Sequence, residues 1–372
     1  MKKICVVTAA RSEYGLLHWV IDTVYKDPDL ELQLVVTGAH LSEAQGLTYR
    51  FIEEDGYPIA EKVPILYQGN DEISIVKTMG VCFNLMADTL ARLRPNIVVV
   101  LGDRYELMPI VGTALIMRIP VAHIGGGDVT VGAIDDEIRN AVTMMATLHF
   151  PGVEEAYHNI SRMRGSSENV FKVGEPGLDS FLRFDLWSKE RTANELKLDS
   201  KKKWCLVTLH PETKLSLAEN INMAHSLYEA MCNTNNIQFV ISKANVDVGG
   251  QAINDYWTSV TNRNPDMFHL YSSLGQIRYL SFMKHADMIV GNSSSGVIEA
   301  PLIGTPVVNI GDRQKGRHMC PNIINCGRSL EEISESMHKA IIADRIIDTY
   351  WGDGKSSDRI CDIIKDFLYE NK

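Results

Sequence analysis

The residues best able to do chemistry fall into two groups of opposite character. The first is acidic. Asp103 closes the apolar run 97–102, Asp128 follows Gly125-Gly126-Gly127, and Asp135-Asp136-Glu137 stands just before Arg139. Carboxylates held close together raise one another's pKa, which is how an acid becomes a general acid or base near neutral pH. The 135–137 run also has a plainer use, because acids in the first turn of a helix complement its dipole. Spacing alone favours that plainer use. No histidine sits at metal-ligand spacing with these acids, so no metal is expected.

The second group suits an anion. Gly291-Asn292-Ser293-Ser294-Ser295-Gly296 follows an apolar run and precedes an expected helix. Small residues let backbone N–H groups approach phosphate oxygens, and a helix start favours negative charge. Glu299, one turn deeper, is placed to accept from ribose hydroxyls, as acids do in nucleotide folds. Gly311-Asp312-Arg313-Gln314-Lys315-Gly316-Arg317 puts three cations within five residues. That suits a diphosphate, with arginine able to bind it two-pronged. Arg11 invites the same reading. His210, in His210-Pro211-Glu212-Thr213, is a candidate general acid or phosphate donor. Each feature also has an ordinary use: a capped helix start, a solvated charge run, a structural histidine.

Composition excludes several classes. The chain has 372 residues, 45% hydrophobic and 23% charged, a globular balance that predicts two domains of ordinary size. A formal net charge of −10 argues against a nucleic-acid partner. Seven widely spaced cysteines without a C-x-x-C pair disfavour a disulfide framework and point to a reducing cytoplasm. The opening Met1-Lys2-Lys3-Ile4-Cys5-Val6-Val7-Thr8 is too short and too soon interrupted by Arg11 and Glu13 for a signal peptide. No apolar run of about 20 residues is evident, so no membrane span is expected. There is no G-x-G-x-x-G at the first helix and no G-x-x-x-x-G-K-[ST], which disfavours NAD or a Walker-type ATPase.

Positioning these residues requires strand–helix alternation. Apolar runs predict strands at 4–8, 32–37, 97–101 and 121–124, with helices at 14–25, 73–93 and 134–146. The pattern restarts with strands at 204–209, 239–242, 288–290 and 307–309, and helices at 217–232, 276–285 and 330–343. Such alternation gives α/β architecture with parallel sheets covered on both faces. Val173-Gly174-Glu175-Pro176-Gly177 reads as a hinge. The expected division is 1–175, 176–357 and a last helix within 358–372 that can cross back to the first domain. Ligands of such sheets bind beyond the carboxyl ends of the strands, and the candidates above lie there.

Taken together, these motifs resemble the UDP-N-acetylglucosamine 2-epimerase family. The motifs that carry the resemblance are Arg11-Ser12-Glu13-Tyr14-Gly15, Gly102-Asp103-Arg104-Tyr105-Glu106, Ile134-Asp135-Asp136-Glu137-Ile138-Arg139, His210-Pro211-Glu212-Thr213, Gly291 to Gly296 and Gly311-Asp312-Arg313-Gln314. The likeness runs nearly the whole chain and is closest to the hydrolysing, sialic-acid-pathway branch. It implies a GT-B fold of two Rossmann-like domains with an interdomain cleft, a cytoplasmic homodimer or homotetramer, and no cofactor. The implied reaction removes the proton at sugar carbon 2, expels UDP from carbon 1, hydrates the resulting glycal and frees N-acetylmannosamine from UDP-GlcNAc. The sister substrate is a UDP-2,4-diacetamido-2,4,6-trideoxyhexose of the legionaminic-acid pathway, and a GT-B glycosyltransferase is the alternative class.

Carried over by position, the resemblance implies catalytic roles for Asp103, Asp128, Asp135, Asp136 and His210. It implies UDP contacts for Arg11, Arg104, His210, Asn245, Ser293, Ser294, Glu299 and Arg313. Glu13, Arg139, Asn292, Ser295 and Arg317 are further candidates. Two departures stand out. Gly125 occupies a position where many members carry Glu, so Asp128 is taken as the substitute. Leu16 replaces the lysine of the non-hydrolysing enzymes.

Overall fold

The computed structural model describes residues 1–67, 69, 71–129, 134–212, 214–244 and 249–370. The chain forms two compact units, Met1–Ser180 with Gly352–Lys372, and Phe181–Trp351. The expected break at 175/176 falls just ahead of the 3-10 turn Pro176–Asp179, inside the first unit.

Unit 1 holds a parallel sheet of β1 (Lys2–Thr8), β2 (Leu30–Thr37), β3 (Ile59–Val63), β4 (Ile97–Leu101), β5 (Val121–Ile124) and β6 (Leu148–Phe150), in the order β3-β2-β1-β4-β5-β6. Successive side chains of a strand face opposite ways. Ile4 and Val6 accordingly pack on Leu17, Val20 and Ile21 of the helix Arg11–Lys26. Cys5 and Val7 pack on Cys82, Met86 and Leu90 of the helix Glu72–Leu93, on the other face. The last helix, Ser356–Glu370, places Ile360, Cys361, Ile364 and Leu368 in the same cluster as Leu17 and Val20. The Asp179 carboxylate accepts from the backbone N–H groups of Ser356 and Ser357 at 2.9 and 2.7 Å, which satisfies donors that a helix start leaves unpaired.

Unit 2 repeats the plan with β7 (Lys203–Thr208), β8 (Ile237–Ser242), β9 (Phe268–Tyr271), β10 (Met288–Gly291), β11 (Val307–Ile310) and β12 (Ile323–Cys326), in the order β12-β11-β10-β7-β8-β9, again all parallel. Cys205 and Val207 face Met223 and Leu227 of the helix Leu217–Cys232. Trp204 and Leu206 face Phe282 and Met283 of the helix Gln276–His285. The rings of Trp204 and Phe282 stack with centroids 5.4 Å apart. Both sheets have the doubly wound strand order, whose switch point lies between β1 and β4 in one unit and between β7 and β10 in the other.

The helix Glu72–Leu93 qualifies the expectation about membrane spans. By length and composition alone it could cross a bilayer, with a mean hydropathy of 1.2 over its best window. Glu72, Lys77, Asp88 and Arg92 are spread along the helix, so its apolar residues form no uninterrupted run of that length. One face carries Cys82, Met86 and Leu90 into the core, and its exposed face bears Lys77, Asp88 and Arg92, charges a bilayer would have to desolvate.

Candidate active site

In unit 1 the acids gather around one arginine. Arg139 sits on the helix Asp135–Met145 with only 5% of its side chain exposed. Its Nη2 donates to Asp103 Oδ2. Its Nη1 donates to Asp136 Oδ1 at 3.2 Å and to the backbone carbonyl of Asp128 at 2.7 Å. One guanidinium thus ties together the turns after β4 and β5 and the start of the helix. A buried cation of this kind persists only when paired, and here the acids pair it. Asp135 opens the same helix and is not joined to this network among the described residues.

His123 of β5 locks the turn that bears Asp103. Its Nε2 lies 2.8 Å from the Gly102 carbonyl, and its Nδ1 lies 3.1 Å from Thr143 Oγ1. Burial drives its pKa down to about 4, so the ring is neutral; Nε2–H donates to the carbonyl and Nδ1 accepts from the hydroxyl. None of the motifs named above includes this histidine.

A second network lies beyond β1. Glu13 is buried, and its Oε2 accepts from the backbone N–H groups of Ala9 and Ala10 at 2.7 and 3.1 Å. Burial raises its carboxyl to about 7, against the opposing pull of those hydrogen bonds and of Arg104. Arg104 is held two-pronged by Glu106, at 3.2 and 2.6 Å, and Glu106 is fully buried. Glu106 was legible only as part of a motif. Arg11, the first residue of its helix, is exposed and lies over the Phe51 ring, 4.6 Å from its centroid.

In unit 2 the anion-loop candidates surround Asn292. Its Oδ1 accepts from the His210 backbone N–H at 2.7 Å, and its Nδ2 donates to the His210 carbonyl at 2.9 Å. Its own carbonyl accepts from Arg313 Nη1 at 3.1 Å and Gln314 Nε2 at 2.8 Å. Arg317 Nη1 donates to Gln314 Oε1 at 2.9 Å. The turns after β7, β10 and β11 are therefore cross-linked by one amide side chain and its backbone. Gly291 has φ 144°, and a Cβ there would collide with the Thr208 carbonyl, so only glycine lets β10 approach β7 so closely.

The helix expected after Gly296 starts earlier and is short. Ser294–Ile298 and Ala300–Ile303 are separate turns that meet at Glu299, because Pro301 has no N–H to continue the ladder. Ser293 caps the first turn, accepting from Ser295 N–H at 3.4 Å, and Tyr279 Oη lies 2.5 Å from Ser295 Oγ. Burial pushes the Glu299 carboxyl up to about 7. Asn245 and Thr213 lie outside the described residues.

Two Rossmann-like units of one topology, each with polar chemistry at the carboxyl edge of its sheet, place the chain in the GT-B class. A model of the UDP-N-acetylglucosamine 2-epimerase family matches residues 22–365. The GDP/UDP-N,N'-diacetylbacillosamine 2-epimerase (hydrolyzing) of Campylobacter jejuni is 37% identical over 324 residues, 87% of this chain and 84% of that protein. The UDP-N,N'-diacetylbacillosamine 2-epimerase (hydrolyzing) of Legionella pneumophila is 28% identical over 366 residues, 98% of this chain and 96% of that one. The crystal structure of UDP-GlcNAc 2-epimerase from Neisseria meningitidis bound to UDP-GlcNAc matches with a TM-score of 0.79 at 18% identity, covering 98% and 99% of the two chains. The chain belongs to the UDP-N-acetylglucosamine 2-epimerase family, and its enzyme class is that of the hydrolysing 2-epimerases.

Proposed function

We propose that the protein acts on a UDP-2-acetamido sugar by eliminating UDP across carbons 1 and 2 and hydrating the glycal, so that the 2-epimer leaves as a free sugar. The observation that carries this reading is the Arg139-centred cluster. It holds Asp103 and Asp136 beside the Asp128 turn, beyond the carboxyl ends of β4 and β5, the end of such sheets at which ligands bind, and supplies carboxylates suited to act as a base. In this reading His210 assists departure of UDP. Arg11, Arg104, Ser293, Ser294 and Arg313 contact the diphosphate, with Asn292, Ser295 and Arg317 behind them, and Glu299 takes the ribose. Glu13 stands behind Arg104.

For the sugar we favour a 2,4-diacetamido-2,4,6-trideoxyhexose, with N-acetylglucosamine as the second reading. Two things support this order. The relatives at 37% and 28% identity carry diacetylbacillosamine in their names. Where many members of the family carry Glu this chain also has Gly125, with a φ of 74° that side chains rarely adopt, a departure in keeping with a different sugar. The test is kcat/KM for the two UDP-sugars side by side. At least a hundredfold preference for the diacetamido substrate is expected, because a site built to pair a second acetamido group rejects a sugar lacking it, typically by about 10²-fold or more. Equal or better turnover of UDP-GlcNAc would reverse the order.

A further inference from the structure

The turn after β7 carries a carboxylate to which the nucleotide reading gives no task. Glu212 lies two residues beyond His210 and is only 6% exposed. Its Oε2 accepts from Arg328 Nη2 at 2.6 Å. Its Oε1 accepts from Arg328 Nε at 3.3 Å and from the backbone N–H of Asp312 at 3.1 Å. Arg328 Nη2 also donates to Asp312 Oδ2 at 2.8 Å. The Glu212 backbone is itself fixed to the helix Leu217–Cys232: its N–H donates to Asn220 Oδ1 at 2.8 Å, and its carbonyl accepts from Asn220 Nδ2 at 3.1 Å. Glu212 is therefore anchored on a helix and grips the turn after β11. Gly311 makes the grip possible, because a Cβ there would strike the Glu212 carboxylate.

Asn292 joins the same two turns from the other side, through His210 and Arg313. The result is a closed circuit of His210, Asn292, Arg313, Asp312 and Glu212. A carboxylate this near an anion loop would repel a phosphate if left alone. Here its charge is matched by the two-pronged contact with Arg328.

We infer that Glu212 and Arg328 are a positioning pair, which holds the turn after β11, and Arg313 with it, in register with His210 for a nucleoside diphosphate. The inference rests on the UDP reading above. Neither residue is required to touch the ligand; both act through Asp312 and Arg313.

The test is calorimetric titration of UDP into the full-length wild type, Glu212→Gln, Arg328→Gln, Arg313→Gln and the double variant Glu212→Gln/Arg313→Gln, with steady-state kinetics and melting curves alongside. Wild-type binding of UDP tests the underlying reading by itself, and no binding there removes both. Given binding, Glu212→Gln and Arg328→Gln are each expected to weaken UDP about tenfold, the size of a lost charged hydrogen bond. KM should rise with kcat within about twofold, the signature of lost binding shared by ground and transition states. The double variant should bind little worse than Arg313→Gln alone, because both losses act through one contact. Wild-type UDP affinity in a folded Glu212→Gln protein, even one that melts lower, overturns the inference, and so do fully additive losses in the double variant. If Glu212→Gln does not fold, Arg328→Lys decides. It keeps the charge, loses the two-pronged contact and is expected to cost about threefold in affinity; unchanged affinity overturns the inference.

Discussion

Units 1 and 2 are two copies of one scaffold whose polar turns are organised in different ways. Each has six parallel strands in the same order, and in each the candidate residues follow the equivalent strands: β1, β4 and β5 in one, β7, β10 and β11 in the other. After these strands unit 1 presents Glu13, Asp103 and Asp128, and unit 2 presents His210, Asn292 and Arg313. The networks differ accordingly. A buried cation, Arg139, organises the acids, whereas a neutral amide, Asn292, organises the turns after β7, β10 and β11. Each unit also keeps one carboxyl at about 7, Glu13 and Glu299, through burial. The fold supplies positions, and in the proposed function the turn residues decide whether a position serves proton transfer or anion binding.

This contrast can be broken most sharply at Asp103. Asp103→Asn should lower kcat about a thousandfold while leaving UDP affinity within about twofold, because in the proposed role this acid acts on the sugar and not on the diphosphate. Stopped turnover with intact calorimetric UDP binding is the expected pair of results; a kcat near that of the wild type removes Asp103 from the mechanism. Arg139→Met should lower stability by about 1.5–3 kcal/mol, since it leaves the half-buried Asp103 and Asp136 without their cation and removes the hydrogen bonds it makes to them. Chemical denaturation measures this, and a loss below about 1 kcal/mol would mean that the acids hold their places without Arg139.

A smaller and pH-dependent effect is expected at Glu299. Its folded pKa is raised from 4.5 to about 7, so its protonated form contributes stability that is full below about pH 4.5 and lost as pH climbs to about 7. Glu299→Gln should therefore melt above wild type at pH 8 and draw level with it near pH 4.5. In the proposed role the carboxylate accepts from ribose hydroxyls, so wild-type UDP affinity should strengthen between pH 6 and 8, and the Gln variant should lose that slope. A slope that survives in the variant assigns it to another group.

How much of this was legible in the sequence follows from burial. All eight inner strands are readable as apolar runs because a parallel strand covered on both faces must be apolar. The four strands that escape notice, β3, β6, β9 and β12, are the four sheet edges, short and interrupted by polar residues such as Glu61, Lys62, His149, His269 and Asn325. Within the site, the acids and cations were visible by type. Their pairings were not: nothing local says that Arg139 reaches back 36 residues to Asp103, or that Arg328 closes on Glu212 across 116. Likewise the break at Glu299 was written in Pro301, but the serine run before it reads as the start of a continuous helix.

The most direct measurement is NMR of the reaction run in heavy water with the UDP-diacetamido sugar and, in parallel, UDP-GlcNAc. Elimination and hydration place solvent hydrogen at carbon 2, so the expected product is a free 2-epimerised sugar, fully deuterated at that carbon, released in step with UDP. A free sugar that keeps its original proton at carbon 2, or a 2-epimer still joined to UDP as the stable product, would contradict it.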